Sequence, residues 1–227
     1  MKNLAIITAR SGSKGLKNKN IKLLNGKPLM AYSIDAAKKS EIFAEVMVST
    51  DSEEYARIAK EWGAEVPFLR SEVLSNDVAG SWDVVKEVLQ KYAERGEYFD
   101  TVCLLQPTSP LRTFEDIQKG YQVFEDKEAD SVVAVCETDH SPLLAAQLPE
   151  DHSMCMFSTG LRRQDMPTYY RINGALYIRK IEYSENIGLL NEKSYAYIMD
   201  RARSVDIDEE IDFTIAEVMM NYCGCKS

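Results

Sequence analysis

Short β-rich runs alternate with amphipathic stretches of helical period over the first half of this chain, and that alternation limits the fold more than any other feature. The strand candidates are Leu4 to Thr8, Glu45 to Ser49, Thr101 to Leu105 and Ser131 to Val135. Between them lie the helix candidates Leu29 to Lys39 and Glu53 to Trp62, the second opened by a capping box at Thr50 and Glu53 and stopped by Gly63. Ser81 heads a third helix, Trp82 to Arg95, and Thr113 a fourth, running to about Asp126. Strands that each feed a crossover helix predict an α/β fold, a mostly parallel sheet with helices on both faces.

Past Pro142 the regularity fades until the next strand candidates, Ala175 to Ile178 and Tyr195 to Met199, and a last helix after SVDIDEEIDF. An excursion at about 140–172 is expected, an arm that covers a site or embraces a second subunit.

Composition narrows the class. With 227 residues, 45% of them hydrophobic, the chain can bury a full core and reads as one globular domain. No apolar stretch reaches the roughly 20 residues of a membrane helix, and the N-terminus enters a strand pattern at once, so the expected compartment is the cytoplasm. A formal charge of −9 disfavours a nucleic-acid polymer. Cys103 and Cys136 lie in apolar runs and read as core residues, while Cys223 and Cys225 lack zinc-ligand spacing. His140 and His152 have no nucleophile motif near them and read as surface or loop residues.

Against this acidic background, residues 1–34 carry Lys2, Arg10, Lys14, Lys17, Lys19, Lys22 and Lys27 and no acid. The loop ARSGSKG, Ala9 to Gly15, follows the first strand candidate. Its glycines permit close backbone approach, successive N–H groups can form an anion-holding concavity, and Arg10 and Lys14 add full charges. A phosphate site and a solvated basic turn are both compatible with that segment. It is neither a P-loop nor a dinucleotide fingerprint, and Lys19 and Asn20 extend it toward phosphate or base.

Ligands of open α/β sheets bind beyond the carboxyl ends of the strands, which draws attention to two further loops. QPTSPLR, Gln106 to Arg112, follows Thr101 to Leu105, and its two prolines fix the backbone that presents Gln106. It reads either as a pre-organised ligand loop or as a rigid turn capped by Thr113. In SVDID, strand alternation sends Val205 and Ile207 to one face and Asp206 and Asp208 to the other. Magnesium takes one or two carboxylates alongside water and phosphate oxygens, and helix capping explains Asp206 less well than it explains Glu209 and Glu210. Arg162, Arg163 and Arg171 offer forks for carboxylate or phosphate, or surface ion pairs. Arg70 and Ser81 are weaker candidates.

Taken in order, ARSGSKG, STDSEE, FLR, LLQPTSPLRT, RRQDMP, RINGALYI and SVDIDEEIDF resemble the acylneuraminate cytidylyltransferase family, the CMP-sialic acid synthetases. The resemblance runs over nearly the whole chain. It implies a Rossmann-like nucleotidyltransferase fold with a protruding dimerisation arm, magnesium, a homodimer, and transfer of CMP from CTP to the 2-hydroxyl of a nine-carbon acidic sugar with release of pyrophosphate. By position it implies that Arg10, Lys19 and Asn20 hold CTP, with Ser13, Arg70 and Ser81 nearby. Gln106, Arg163 and Tyr177 would face the sugar. Arg171 and Asn173 would stand where nucleotide and sugar meet, and Asp206 and Asp208 would hold the metal.

Two positions depart from the family pattern. Thr8 stands where proline is common, and Leu143 and Leu144 follow Pro142 where some members carry lysine. The second departure leaves legionaminic and pseudaminic relatives of sialic acid open as substrates. The other readings are cytidylyl transfer to an eight-carbon sugar and a non-catalytic nucleotide sensor.

Overall fold

Strand β1 (Asn3–Thr8) is buried on both faces, as a strand covered by helices on each side must be. In the computed structural model, Leu4 and Ile6 point into one cluster with Val85, Val88, Leu89 and Tyr92 of helix α3 (Ser81–Glu94). Ala5 and Ile7 point the other way, against Met30 and Ile34 of α1 (Leu29–Lys39), Tyr55 of α2 (Glu53–Glu61) and Ile117 of α4 (Phe114–Asp126). Full burial of each such Leu or Ile stabilises the fold by roughly 1.5–3 kcal/mol, so the two clusters fix the strand register. The structure describes residues 1–12, 15–75, 80–157, 160, 162–182 and 190–224.

A hairpin of β2 (Leu23–Leu24) and β3 (Lys27–Pro28) precedes α1. The main sheet adds β4 (Glu45–Ser49), β5 (Thr101–Leu105), β6 (Ser131–Glu137), β7 (Tyr170–Lys180) and β8 (Ser194–Ile198), in the order β4-β1-β5-β7-β6-β8. β7 alone runs against its neighbours β5 and β6, and the other pairings are parallel. The fold is therefore the expected α/β sheet with helices on both faces. A third cluster joins α5 (Glu210–Tyr222), through Phe213, Ala216 and Met220, to Leu29, Tyr32, Leu111 and Ile207.

Several local expectations need correction. Helix α2 is capped by Ser52, whose hydroxyl accepts the Tyr55 N–H at 3.4 Å, and not by Thr50. Gly80 caps α3 while Ser81 is its first residue, with the Gly80 N–H donated to Asp83 at 3.2 Å. The strand expected at Ala175 to Ile178 extends to Tyr170, so Tyr170, Arg171 and Ile172 pair with Glu137, Cys136 and Val135 inside the sheet. Those residues belong to β7 and not to the excursion expected at 140–172. The remaining excursion holds the single turns Pro142–Leu144 and Arg163–Asp165. Finally, SVDID is extended chain outside the sheet. Its alternation survives because Ile207 is buried and Val205 packs beside it, while Asp206 and Asp208 stay open to solvent.

Candidate active site

The carboxyl ends of β1, β4 and β5 open on a cavity of about 180 Å³ lined by Thr8, Arg10, Lys19, Asn20, Arg70, Leu74, Ser81, Val84, Gln106, Pro107 and Thr108. Sequence expectations thus converge: Arg10, Lys19, Asn20, Arg70 and Gln106 from the loops and Ser81 from the start of α3 line one cavity. Ser13 and Lys14 lie outside the described residues.

The first loop is pinned from behind. Asp51, which follows β4, accepts both the Ser11 N–H and the Ser11 hydroxyl at 2.8 Å. That N–H is therefore engaged internally and does not belong to an anion-holding concavity, contrary to the simplest form of the expectation. Asn20 is 6% exposed and donates to the Arg10 carbonyl at 3.0 Å, which ties the two ends of the loop together. Gly15 touches the far end of the chain, because a Cβ there would stand 3.0 Å from the Asp208 carbonyl oxygen.

Arg70 is 8% exposed and donates to the Ser49 hydroxyl at 3.1 Å and carbonyl at 2.7 Å. Burial lowers its pKa to about 10; Asp51 and Glu87 oppose that shift, and the nearby charge of Arg10 adds to it. Two guanidinium groups within each other's field at a cavity wall make an attractive place for an anion, which would relieve their repulsion.

QPTSPLR proves to be both a rigid turn and a cavity wall. Thr113 is the residue before α4, and its N–H is donated to Asp116 at 2.8 Å. Arg112 lies 2% exposed beneath the loop and donates to the carbonyls of Gln106 at 3.2 Å and Ala175 at 2.8 Å. Above it, β7 bulges, since Val135 pairs with Ile172 but Val133 with Tyr177. The bulge puts Gly174 at φ +77°, where an added Cβ would stand 2.5 Å from Gln106 Oε1. Glycine there leaves room for the Gln106 side chain.

Asp206 and Asp208 reach this wall through two links. The Thr108 carbonyl accepts the Ile207 N–H at 2.9 Å. Lys19 Nζ donates to the Ile207 carbonyl at 2.8 Å and to Asp208 Oδ1 at 3.1 Å. Lost hydration on its inner side raises the Asp206 carboxyl above the ordinary carboxylate value, and repulsion from Asp208 adds to this. The Thr108 hydroxyl, Lys19 and Arg171 pull the other way. Among the described residues no group of three or more His, Cys, Asp or Glu side chains forms a closed metal cage. Two neighbouring, mutually repelling carboxylates open to solvent fit an ion that takes its other ligands from water and phosphate, as magnesium does.

The β7 candidates divide. Tyr177 packs edge-on against Trp82 at 6.4 Å between ring centres, and its hydroxyl pKa is raised by burial and then by the field of Asp206. Arg171 is exposed, donates to the Ser204 carbonyl at 3.3 Å and also acts on Asp206. Asn173, expected where nucleotide and sugar meet, is 2% exposed and bonded within the chain. It donates to the Ser204 hydroxyl at 2.9 Å and accepts the Ala175 N–H at 3.1 Å, so it holds the start of SVDID. Arg163 opens a single turn in the excursion, and its side chain lies outside the described residues.

Sequence reasoning missed Asp51 and Arg112 as organisers of the site. Each sits inside a motif already singled out, STDSEE or QPTSPLR, so proximity to the candidates was the available signal. Nothing in spacing distinguishes a carboxylate that grips a loop from one that caps a helix.

Comparison with known proteins bears on this geometry. A solved structure of CMP:2-keto-3-deoxy-manno-octonic acid synthetase complexed with CTP shares the fold, with a TM-score of 0.72 and 17% identity over 98% of this chain and 99% of that one. The N-acylneuraminate cytidylyltransferase of Escherichia coli is 38% identical over 219 residues, which span 95% of this chain and 51% of that protein. The chain thus matches about half the length of that relative. It matches nearly all of the CMP-N,N'-diacetyllegionaminic acid synthase of Legionella pneumophila, 36% identical over 97% of each. A family model described as cytidylyltransferase covers residues 4–214, which takes in the cationic loop, the proline-fixed wall and both aspartates. On that match and those identities, the chain belongs to the cytidylyltransferase family.

Proposed function

We propose that the chain transfers CMP from CTP to the 2-hydroxyl of a nine-carbon acidic sugar, N-acetylneuraminate or a legionaminate or pseudaminate relative, and releases pyrophosphate. The observation that carries this reading is the junction of the cationic cavity with the paired aspartates, tied by Lys19 to Asp208 at 3.1 Å. A triphosphate repels an acidic sugar, so catalysis needs cations on one side and a counter-ion holder on the other within one site.

Arg10 and Lys19 bind the triphosphate, while Asn20 keeps Arg10 in place. Arg70 and Ser81 line the inner end of the cavity and receive the nucleoside side. Gln106, Arg163, Arg171 and Tyr177 orient the sugar, with an arginine taking its carboxylate through a bidentate fork. Asp206 and Asp208 would hold magnesium, which when bound neutralises phosphate charge and sharpens the α-phosphorus as an electrophile.

The sugar 2-hydroxyl gives up its proton to water as its oxygen forms a bond to the α-phosphorus, the bond to the bridging oxygen breaks and pyrophosphate leaves. No covalent enzyme intermediate is needed. Holding the two anions in line contributes about 7–11 kcal/mol, and each well-aimed charge-stabilising donor about 3–4 kcal/mol.

The excursion between β6 and β7 exposes Leu143, Leu144, Leu148, Met154 and Met156. Apolar residues gathered on one protruding segment favour burial against another surface. We read that segment as the arm of a homodimer built from single-domain subunits, and we place the enzyme in the cytoplasm, where CTP is available.

The test is pyrophosphate release from CTP and magnesium against a panel of nine-carbon and eight-carbon acidic sugars. Release with a nine-carbon acid is expected. Release only with an eight-carbon acid would assign the chain to the other sugar class, and CTP binding without release in any pairing would make it a sensor.

A further inference from the structure

The approach to the two aspartates contains a buried ion pair that the chemistry above does not use. Asp116, 1% exposed in the first turn of α4, pairs through Oδ2 with Arg203 and accepts the Tyr197 hydroxyl on Oδ1 at 2.7 Å. Helix capping accounts for two bonds, from the Thr113 N–H at 2.8 Å and from its hydroxyl at 3.2 Å. The remaining partners come from β8 and from the single turn Arg201–Arg203, which leads directly into SVDID.

We infer that Asp116 and Arg203 are positioning residues that fix the chain entering SVDID and thereby set where Asp206 and Asp208 present their carboxylates, an inference that rests on the metal-holding role proposed for them. A buried ion pair is weak as a source of stability, because apolar residues of similar volume serve as well or better, so its better-attested use is to enforce one geometry. Here that geometry matters. From Ser204 to Asp208 the chain has no regular structure and relies on point anchors. Downstream the anchors are the Ile207 N–H on the Thr108 carbonyl, Lys19 on the Ile207 carbonyl and the Asp208 N–H on Asp212 at 2.9 Å. Upstream, the Ser204 hydroxyl donates to the Asp200 carbonyl at 2.8 Å and accepts from Asn173. Arg203 clamps this upstream turn to α4, and the Cys223 thiol at the end of α5 meets the Ala202 carbonyl at 3.9 Å.

Burial by itself would raise the Asp116 carboxyl, but bonds from Arg203, Thr113 and Tyr197 hold it below the ordinary value, so the pair stays charged at neutral pH. A carboxylate pair displaced by about 1 Å loses on the order of 100-fold in rate, and loss of a group that orients metal ligands costs 10–100-fold in metal affinity or activity as a rule.

The experiment compares Arg203→Met, Arg203→Lys and Asp206→Ala with the wild-type chain for fold by circular dichroism, CTP binding without metal, and the magnesium concentration that half-saturates turnover. Arg203→Met is expected to raise that concentration at least about 10-fold and lower kcat, while metal-free CTP binding changes less than about twofold. Arg203→Lys keeps the charge, and is expected to fold and to recover part of both losses. A folded Arg203→Lys with wild-type magnesium dependence, when Arg203→Met is folded and also wild-type or is unfolded, would overturn the inference, since the pair would then serve stability alone. Asp206→Ala separates the two claims. If it leaves the magnesium dependence unchanged, the metal-holding role itself fails; if it shifts that dependence while the Arg203 variants do not, only the positioning role fails.

Discussion

Lys19 Nζ stands 3.1 Å from Asp208 Oδ1, joining two residues 189 positions apart. The same ammonium donates to the Ile207 carbonyl, and its side chain is only 12% exposed. Asp208 is 78% exposed, so the pair falls in the range of surface salt bridges, whose median is about 0–1 kcal/mol. It closes the site by binding the cationic front loop to the acidic segment that precedes α5.

If Lys19 and Asp208 act as one unit in turnover, their effects are not additive. Lys19→Ala and Asp208→Ala should each lower kcat by about 10²–10³-fold, and the double variant should be little worse than the poorer single one. Steady-state kinetics of pyrophosphate release on the four chains measures the coupling directly.

Arg70 tests the nucleotide end of the cavity. Arg70→Ala removes a charged donor and also leaves the Ser49 carbonyl without its 2.7 Å partner. CTP binding should weaken by about 1.5–3 kcal/mol, roughly 10–100-fold, and calorimetric titration reads it. An unchanged affinity would mean that Arg70 only braces β4.

Gly174→Ala probes the bulge. The backbone there, at φ +77°, disfavours any Cβ by about 1–2 kcal/mol, and the methyl would displace the Gln106 amide. Thermal unfolding should show a loss of that size. The KM for the sugar should rise while CTP binding stays close to wild type, which separates the roles of Gln106 and Arg10.

The charge on Asp116 gives a pH signature. Its folded value lies below the unfolded value of about 3.9, so its contribution to stability is fully present above that and is lost as pH falls through the folded value. Asp116→Asn should lower stability at pH 7 by about 3–5 kcal/mol, because Arg203 is left without its carboxylate. The gap should close progressively as pH falls from 7 below the unfolded value and through the folded one. Urea unfolding across that range checks both the gap and its closure.

Much of the sheet was legible because β1, β5 and most of β6 are buried on both faces and because helix signals stand at positions such as Gly63 and Thr113. The direction of β7 was not. Val, Ile and Ala runs look alike in either orientation, and the register with β5, from Thr101–Lys180 to Leu104–Tyr177, decides it. The loops that hold Arg10, Gln106 and Asp208 were identified by charge and by proline, both local properties. The internal engagement of Asn173 and the grip of Asp51 on Ser11 depend on distant partners, at Ser204 and across 40 positions, and no local pattern encodes those.

The central claim is that the front-loop cations and the twin aspartates serve one bound nucleotide. Crystals grown with CTP and manganese, with the metal located by its anomalous scattering, test it most directly. The account expects the ion to be coordinated by Asp206 and Asp208 together with phosphate oxygens of a CTP whose triphosphate lies against Arg10 and Lys19. An ordered CTP whose metal stands away from both aspartates would contradict it.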